Sequence, residues 1–588
     1  TKPNMAQKGI IKVSKTGEVF SSVTENEGVY QPVYEVQGLP GAVFEITALE
    51  DVYTLDGTLR YSAGEVVDTI TTGEDGTAQS QPLYLGKFQV KEIQFPHGMV
   101  DTGENVTNVE LVYAGQEVEV TETSASFYNQ RQKALVTLDK VLEQDETFGI
   151  GMNGEISAVT FGLYAQEDIT AADGSVIPAD GLLEIVSVNE NGQATCSTDL
   201  PFGSFYLKEL STDSHYLLNG ETFPFTFEYG GPSVAVVEIS ANDGEAVTNE
   251  LIRGEIKGLK TDENGTGLGG AVIGLFKSDE TEFTAENALA TTTSADDGSF
   301  SFTNVPYGDW VLKELESPEG FILSDEVIPV TVEEDGQVVE ISLANERVYG
   351  DLRLTKVDKD YPDNKLTGAE FEVYRDTNGN KELDEGDELL GKLEETSTGI
   401  YEMSHILYGG VFVRETKAPE GFLLDENAYY VEITENGKIY EVENEAGIGF
   451  TNMAQTGSLR IEKTSSDGKV EGFSFRVTGA NGYDQTFKTD KNGEIFIEGL
   501  RVGDYTVSEV SDGASANYVL PADKKVTILA DKTTVAQMHN ELRDTPKTGD
   551  DSKPWLWAAL MGVSAMGAAA LGVAAYVGKR KKDNHTAK

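Results

Sequence analysis

Leu352-Arg353-Leu354-Thr355-Lys356, Gly368-Ala369-Glu370-Phe371-Glu372-Val373-Tyr374 and the run from Gly409 to Glu415 decide the fold of this chain. Apolar residues recur in them with a period of two, which puts residues i and i+2 on one face of a strand. They are rich in Val, Leu, Phe, Tyr and Thr and are bounded by turn residues, the pattern of half-buried β-strands. The succession recurs along the chain. A short strand ending in Lys appears at 11–15, 136–140, 256–260, 352–356 and 459–463. A second strand follows, seen also at 41–46, then a turn dipeptide such as Asp75-Gly76, Asn191-Gly192, Asp297-Gly298 or Asn492-Gly493. Next a strand runs from a Gly to a Glu six residues on: Gly86 to Glu92, Gly203 to Glu209, Gly308 to Glu314, Gly409 to Glu415 and Gly503 to Glu509. Each copy closes on an asparagine, at Asn129, Asn249, Asn345, Asn452 and Asn540.

The lysines that end the first strands lie 125, 120, 96 and 107 residues apart, each interval the size of one compact domain. A chain of 588 residues is too long for a single core. The expectation is an all-β chain, a tandem array of five β-sandwich modules at 1–130, 131–252, 253–348, 349–455 and 456–543, with a tail at 544–588. No amphipathic helical window stands out before residue 555, and few residues remain for linkers. The formal net charge of −55 argues against nucleic acid or anionic lipid as partners. Apolar residues make up 39% of the chain, enough to argue against disorder. The lone Cys196 excludes a disulfide framework, so an exported chain needs another source of robustness. The sequence begins at Thr1 without an initiator Met or an apolar leader, which reads as a mature or truncated form.

Each module aims three polar residues at its apolar face. Lys356 shares a face with Leu352 and Leu354, Lys15 with Ile11 and Val13, Glu92 with Phe88 and Val90, and Asn452 with Phe450. Left unpaired in a core, such groups cost several kcal/mol. Two readings account for them. The first is a buried Lys–Glu ion pair with Asn as a hydrogen-bond partner. The second is covalent: burial favours the neutral amine and the protonated carboxyl. A neutral amine attacks the carboxamide while the carboxyl moves protons, and a Lys–Asn amide replaces ammonia. Such a bond would brace the terminal strands, a role disulfides fill in other secreted proteins.

The strand-initial Lys, the Glu-containing box and the terminal Asn resemble the B-type repeats of collagen-binding adhesins and the SpaA-type domains of Gram-positive pilins. Glu415-Thr416-Lys417-Ala418-Pro419-Glu420-Gly421-Phe422 is similar to that family's E-box, and 314–321 nearly so. The resemblance covers roughly residues 8–543. It implies immunoglobulin- or transthyretin-like sandwiches holding intramolecular isopeptide bonds. Carried over by position, the triads are Lys15/Glu92/Asn129, Lys140/Glu209/Asn249, Lys260/Glu314/Asn345, Lys356/Glu415/Asn452 and Lys463/Glu509/Asn540, with each Glu as the proton shuttle. There are departures. Gly258 stands where an apolar residue precedes Lys260, and Val411 replaces the aromatic before Glu415. The first, second and fifth copies lack the full Pro-x-Gly pair, the first keeping Pro96 and Gly98.

The tail carries Thr545-Pro546-Lys547-Thr548-Gly549, an uncharged apolar stretch at 555–577 and the basic cluster 579–582. As a helix the stretch would be about 34 Å long, enough to cross a bilayer. A simple single-pass anchor is one reading. Motif, span and basic tail together resemble the sorting signal of sortase substrates, in which a transpeptidase cuts between Thr and Gly, here Thr548 and Gly549. That implies sortase and peptidoglycan as partners, the latter joined through Thr548, a cell-wall location on the outer surface, and membrane contact only before sorting. Thr545 stands in place of the usual Leu.

Oxygen-bearing residues alternate through Asp376, Asn378, Asn380, Asp384 and Asp387, as in a calcium loop, although Lys381 occupies the position of the expected glycine. They resemble the calcium loops inserted in some surface-protein B repeats; an acidic turn is the alternative. Calcium is the one candidate ligand ion, and no cofactor is required. Cys196 reads as a buried thiol, and the five histidines form no metal or triad spacing. The expected protein is no turnover enzyme but a wall-anchored stalk or adhesin for an extracellular or host ligand, with the region around 49–75 as the contact suggested by position. The alternative is a pilus subunit. The nearest match to a pilin's reactive-lysine context, Tyr361-Pro362-Asp363-Asn364-Lys365, has its lysine displaced, which favours a basal over a shaft pilin.

Overall fold

The computed structural model describes residues 5–544, a succession of β-strands and turns with three short 3₁₀ turns. Among the described residues no helix is long and apolar enough to cross a membrane. The sorting motif 545–549, the apolar stretch 555–577 and the basic cluster 579–582 lie outside the described residues. The chain divides into two compact units, Thr1–Arg347 and Val348–Lys588.

The first unit contains three hydrophobic clusters, drawn from residues 11–127, 136–251 and 256–343. The second contains two, drawn from 352–450 and 459–538. The module built around Lys356 illustrates the architecture. One sheet holds Tyr349–Asp358 between Ile400–Leu407 and the short strands Ile439–Glu441 and Phe450–Asn452. The facing sheet has the order Glu388–Lys392, Glu370–Arg375, Gly409–Lys417, Ala428–Ile433. Alternation decides what lies between them: Leu352, Leu354, Phe371, Val373, Val411 and Val413 are buried. Each such side chain contributes roughly 1.5–3 kcal/mol when fully withdrawn from water.

Tyr349–Asp358 pairs in parallel with Ile439–Glu441 and Phe450–Asn452, so the first and last strands of the module are neighbours. The same parallel pairing joins Lys8–Asn26 to Val120–Arg131, Lys133–Leu142 to Val247–Asn249, Arg253–Asp262 to Val338–Asn345, and Thr456–Ser465 to Thr533–Leu542. Parallel neighbours need a long connection, and here the intervening strands of the module supply it.

Two features were not foreseen. The first strand runs well past Lys15, from Lys8 to Asn26, and returns as Val29–Gly38 through a turn at Glu27 and Gly28, both with positive φ. The returning strand meets the second module, pairing Val29 with Leu182, so one sheet continues through both modules. The junction also buries Gln132, whose side chain donates to the carbonyls of Gly231 and Val234 and accepts from the Gly230 amide. The second feature is Gly258. A Cβ there would stand 2.0 Å from the Phe300 ring, so the ring fills the space an apolar side chain would take.

Gly258→Val is therefore expected to destabilise the third module by about 1–3 kcal/mol through overpacking. Calorimetry or hydrogen exchange at 256–302 checks this, and Gly258→Val with Phe300→Ala is expected to recover part of the loss.

Candidate functional site

Strand register assembles the site. In each parallel pair the lysine lies opposite the residue two before the asparagine: Lys15 opposite Phe127, Lys140 opposite Val247, Lys260 opposite Leu343, Lys356 opposite Phe450 and Lys463 opposite Met538. The asparagine is therefore one same-face step further along the neighbouring strand. The glutamate comes from the facing sheet, opposite Phe44, Phe161, Ile273, Phe371 or Phe475 in its own pairing. A glycine fixes the lysine backbone. The Lys15, Lys140, Lys260, Lys356 and Lys463 amides donate to the carbonyls of Gly76, Gly192, Gly298, Gly399 and Gly493 at 2.6–2.8 Å. These glycines have φ of 65–83°, and at Gly298 a Cβ would lie 2.1 Å from the Lys260 carbonyl oxygen. Backbone conformation and space both demand glycine there.

All fifteen triad residues are buried. Lys15 Nζ is 2.7 Å from Glu92 Oε2, while Asn129 Nδ2 donates to the Val100 carbonyl at 3.2 Å. Lys140 Nζ donates to Asn249 Oδ1 at 2.8 Å, and Asn249 Nδ2 donates to Glu209 Oε1 at 2.6 Å. Lys260 Nζ donates to Asn345 Oδ1 and lies 3.1 Å from Glu314 Oε1, which accepts from Asn345 Nδ2 at 2.8 Å. Lys356 Nζ is 3.5 Å from Glu415 Oε1, and Asn452 Nδ2 donates to Glu415 Oε2 at 2.8 Å. Asn540 Nδ2 donates to Glu509 Oε1 at 2.6 Å, and Lys463 Nζ donates to the Thr464 carbonyl at 2.6 Å. Lysine, glutamate and asparagine thus converge in each module: the amine faces the glutamate in the first, third and fourth, the amide oxygen in the second and third, and the Thr464 carbonyl in the fifth.

Burial shifts the five lysines and three of the glutamates toward neutral forms. It pulls the Lys140 and Lys356 amines down to about 8 and lowers those of Lys15, Lys260 and Lys463, against the pull of the nearby glutamates. It raises the carboxyls of Glu92, Glu209 and Glu509. Hydrogen-bond accounting points the same way. In three triads one carboxylate oxygen and the amide oxygen both lack a donor: Glu92 Oε1 with Asn129 Oδ1, Glu415 Oε1 with Asn452 Oδ1, and Glu509 Oε2 with Asn540 Oδ1. For Glu92 and Glu509, whose carboxyls burial raises, a proton on the carboxyl would supply a donor. In the fourth module both the Asn452 side-chain amide and the Asp425 backbone amide donate to Glu415 Oε2, while Oε1 faces the Lys356 amine at 3.5 Å.

A model of the SpaA prealbumin-like fold domain matches residues 33–125, 254–347, 350–446 and 457–542. The chain belongs to that family. The matched stretches leave out Lys15, Asn129, Asn452 and the whole second triad, where the same register recurs. Among solved structures, the chain resembles the Bacillus anthracis TIE protein at 18% identity, covering 92% of this chain and 75% of that one, with a TM-score of 0.40. It also resembles BcpA, the major pilin subunit of Bacillus cereus, at 15% identity, 58% and 100% coverage and a TM-score of 0.26. The minor pilin of Streptococcus agalactiae matches at 18% identity, 34% and 100% coverage and a TM-score of 0.17. No curated protein matches the chain.

Other sequence candidates of this SpaA-family chain sit apart from the triads. In the acidic loop, Asp376 accepts from the Gly379 and Lys381 amides, Asn380 from the Glu382 amide, Asp384 from the Gly386 amide, and Asp387 from those of Thr377 and Asp384. The Asn378 and Asn380 side-chain amides both donate to Asp384. Calcium would require the Asn378 and Asn380 side-chain amides to turn away from Asp384, and among the described residues no group of three or more His, Cys, Asp or Glu is placed to hold a metal. Burial raises the Cys196 thiol to about 12, which leaves it unreactive. Sequence reasoning missed Gly399, whose Thr-Gly context lacks the Asn-Gly or Asp-Gly signature, and it missed the buried Asp262 and Asp358.

The lowered lysine gives a stability test. In an Asn452→Ala chain Lys356 stays an amine, titrating near 8 when folded and near 10.5 when unfolded. The unfolded state then binds more protons between these values, so fourth-module stability is expected to rise from pH 8 to 10.5. Calorimetry across that range checks this. An amide at Lys356 does not titrate, so the parent chain is expected to lack the rise.

Proposed function

We propose that this chain is a Gram-positive surface protein anchored to the cell wall by sortase, a stalk or adhesin whose modules are braced by self-formed Lys–Asn isopeptide bonds. The observation that carries this reading is the recurrence of one register, lysine against asparagine with glutamate between, in five separate cores.

The chemistry proceeds once per module. The neutral amine attacks Cγ of the asparagine, with the protonated glutamate hydrogen-bonded to Oδ1 to draw charge from the carbonyl. The C–Nδ2 bond breaks, the glutamate returns a proton to the leaving nitrogen, and ammonia departs. The attacking nitrogen gives up one proton through the same carboxylate, the net equivalent of the one the leaving nitrogen gains, and remains as a secondary amide. No oxidant or metal enters the balance. The product joins neighbouring parallel strands at the two ends of a module, so a pull on the termini loads the crosslink before the core. The Glu92, Glu209, Glu314, Glu415 and Glu509 carboxyls act as the shuttles in this scheme.

Anchoring rests on the tail. Sortase would cleave after Thr548 and pass its carbonyl to a wall amine, with the segment beyond holding the chain at the membrane until transfer. A pilus subunit is the second reading, favoured by the SpaA-type modules; Lys365 in its Tyr-Pro context is exposed.

In cells expressing the full chain, the protein is expected in the fraction released by muramidase, and Thr548→Ala is expected to move most of it to the membrane and medium fractions. An unchanged distribution would remove sortase anchoring. A ladder of covalent oligomers in the wall fraction would favour the pilus subunit over the single-chain stalk.

A further inference from the structure

An arginine joins the fourth and fifth modules across 143 residues of chain. Arg501 ends the strand Glu494–Arg501 of the fifth module. Its guanidinium donates through Nη1 to Asp358 Oδ2, and through Nη2 to Asp358 Oδ1 at 2.8 Å and Asp360 Oδ2 at 2.5 Å. It also lies over the Tyr361 ring, 4.7 Å from its centroid. Asp358 belongs to the fourth module, two residues beyond Lys356 and opposite Asn452 in the parallel register. The clamp therefore grips the rung at which the proposed crosslink closes.

Burial separates this contact from an ordinary surface ion pair. The Asp358 side chain is 2% exposed and that of Arg501 15%. Burial by itself pushes the Asp358 carboxyl up, yet the hydrogen bonds from Arg501 and from backbone amides carry it below its ordinary value. The Arg501 guanidinium is raised by the same bonds. Separating the modules would break a charge-assisted fork at a nearly buried carboxylate, a contact screened less by solvent than one between exposed charges. The planar fork also fixes orientation as well as distance, since both its bonds to Asp358 must be satisfied together.

The arrangement is not isolated. In the first unit Arg253, which opens the third module, donates to Glu143 Oε1 and Asp145 Oδ2 of the second at 2.9 Å each. Within the third module Arg347 donates to the buried Asp262 and lies 3.2 Å from Glu263. In all three cases the carboxylates follow the triad lysine of their module within five residues.

We propose that Arg501 is an orientational lock: it holds the fifth module in one fixed pose on the fourth, so that the pair moves as a single body. The lock acts whether or not the amide bonds form, so it stands apart from the crosslinking proposal. The backbone bonds from Val502 to Gln455 and from Gln455 to Gly421 set where the modules meet, and Arg501 removes the remaining freedom to swing.

The test is the distance distribution between nitroxide labels on the two modules, measured by pulsed electron resonance in the full chain. Cys196→Ala removes the native thiol, and Glu394→Cys and Lys525→Cys, both exposed and away from the clamp, carry the labels. The parent is expected to give one narrow distribution. Arg501→Ala and Asp358→Asn are each expected to broaden it at least twofold, and Arg501→Lys, which keeps the charge but not the fork, to give an intermediate width. Asp358→Asn preserves shape and so remains informative if Arg501→Ala folds poorly. Widths equal to the parent's in both Arg501→Ala and Asp358→Asn would overturn the lock.

Discussion

Lysine amines withdrawn from water in apolar cores are the constraint around which this chain is arranged. An ammonium there must find a partner or give up its charge, and either course requires other polar groups to be delivered to the same point. Register delivers them. The parallel pairing of first and last strands sets the asparagine one same-face step beyond the lysine, and the facing sheet brings the glutamate between them. The lysine cannot slide, because its own amide is bonded to a turn glycine in a space too tight for a Cβ. Fold and site are thus one arrangement: the hydrogen bonds that make the sandwich are those that position the reactive groups.

The consequences extend outward from that point. A module whose end strands were joined by the proposed amide would resist opening from its termini, and the Arg501 clamp takes hold on the same rung in the fourth module. Charge serves a different end. The excess of carboxylates is largely on exposed surfaces, while Arg253 and Arg501 pair with carboxylates where modules meet. These two arginines neutralise carboxylates at the joints, and the remaining acidic surface favours solubility.

Much of this was legible in the sequence because a strand's period is two. Leu352, Leu354 and Lys356 had to share a face, and Phe450 and Asn452 likewise, so three polar residues in each core followed from alternation. What alternation cannot state is which strands become neighbours: the clamp of Arg501 on Asp358 is a tertiary fact with no local signature. Gly258 looked like a lapse in the pattern until Phe300 was found filling its place. The long first strand escaped notice because its outer half, Glu18 to Asn26, breaks the alternation and sends Phe20 and Val23 to the second module's core rather than its own. Buried hydroxyls were equally silent. Thr72, Ser294, Thr489 and Tyr401 each accept a backbone amide at the start of an inner strand, at Ala42, Ala271, Phe473 and Ala369. Three residue types fill that role, so no motif marks it.

The central claim is that the buried triads react rather than merely pair, and the intact mass of the purified protein tests it most directly. The account predicts a deficit of one ammonia for each competent triad, reduced by one such step in Glu415→Gln relative to the mass its sequence gives. A mass equal to the sequence value, with no ammonia lost, would contradict it and leave the lysine, glutamate and asparagine of each module as a hydrogen-bonded buried pair with its amide.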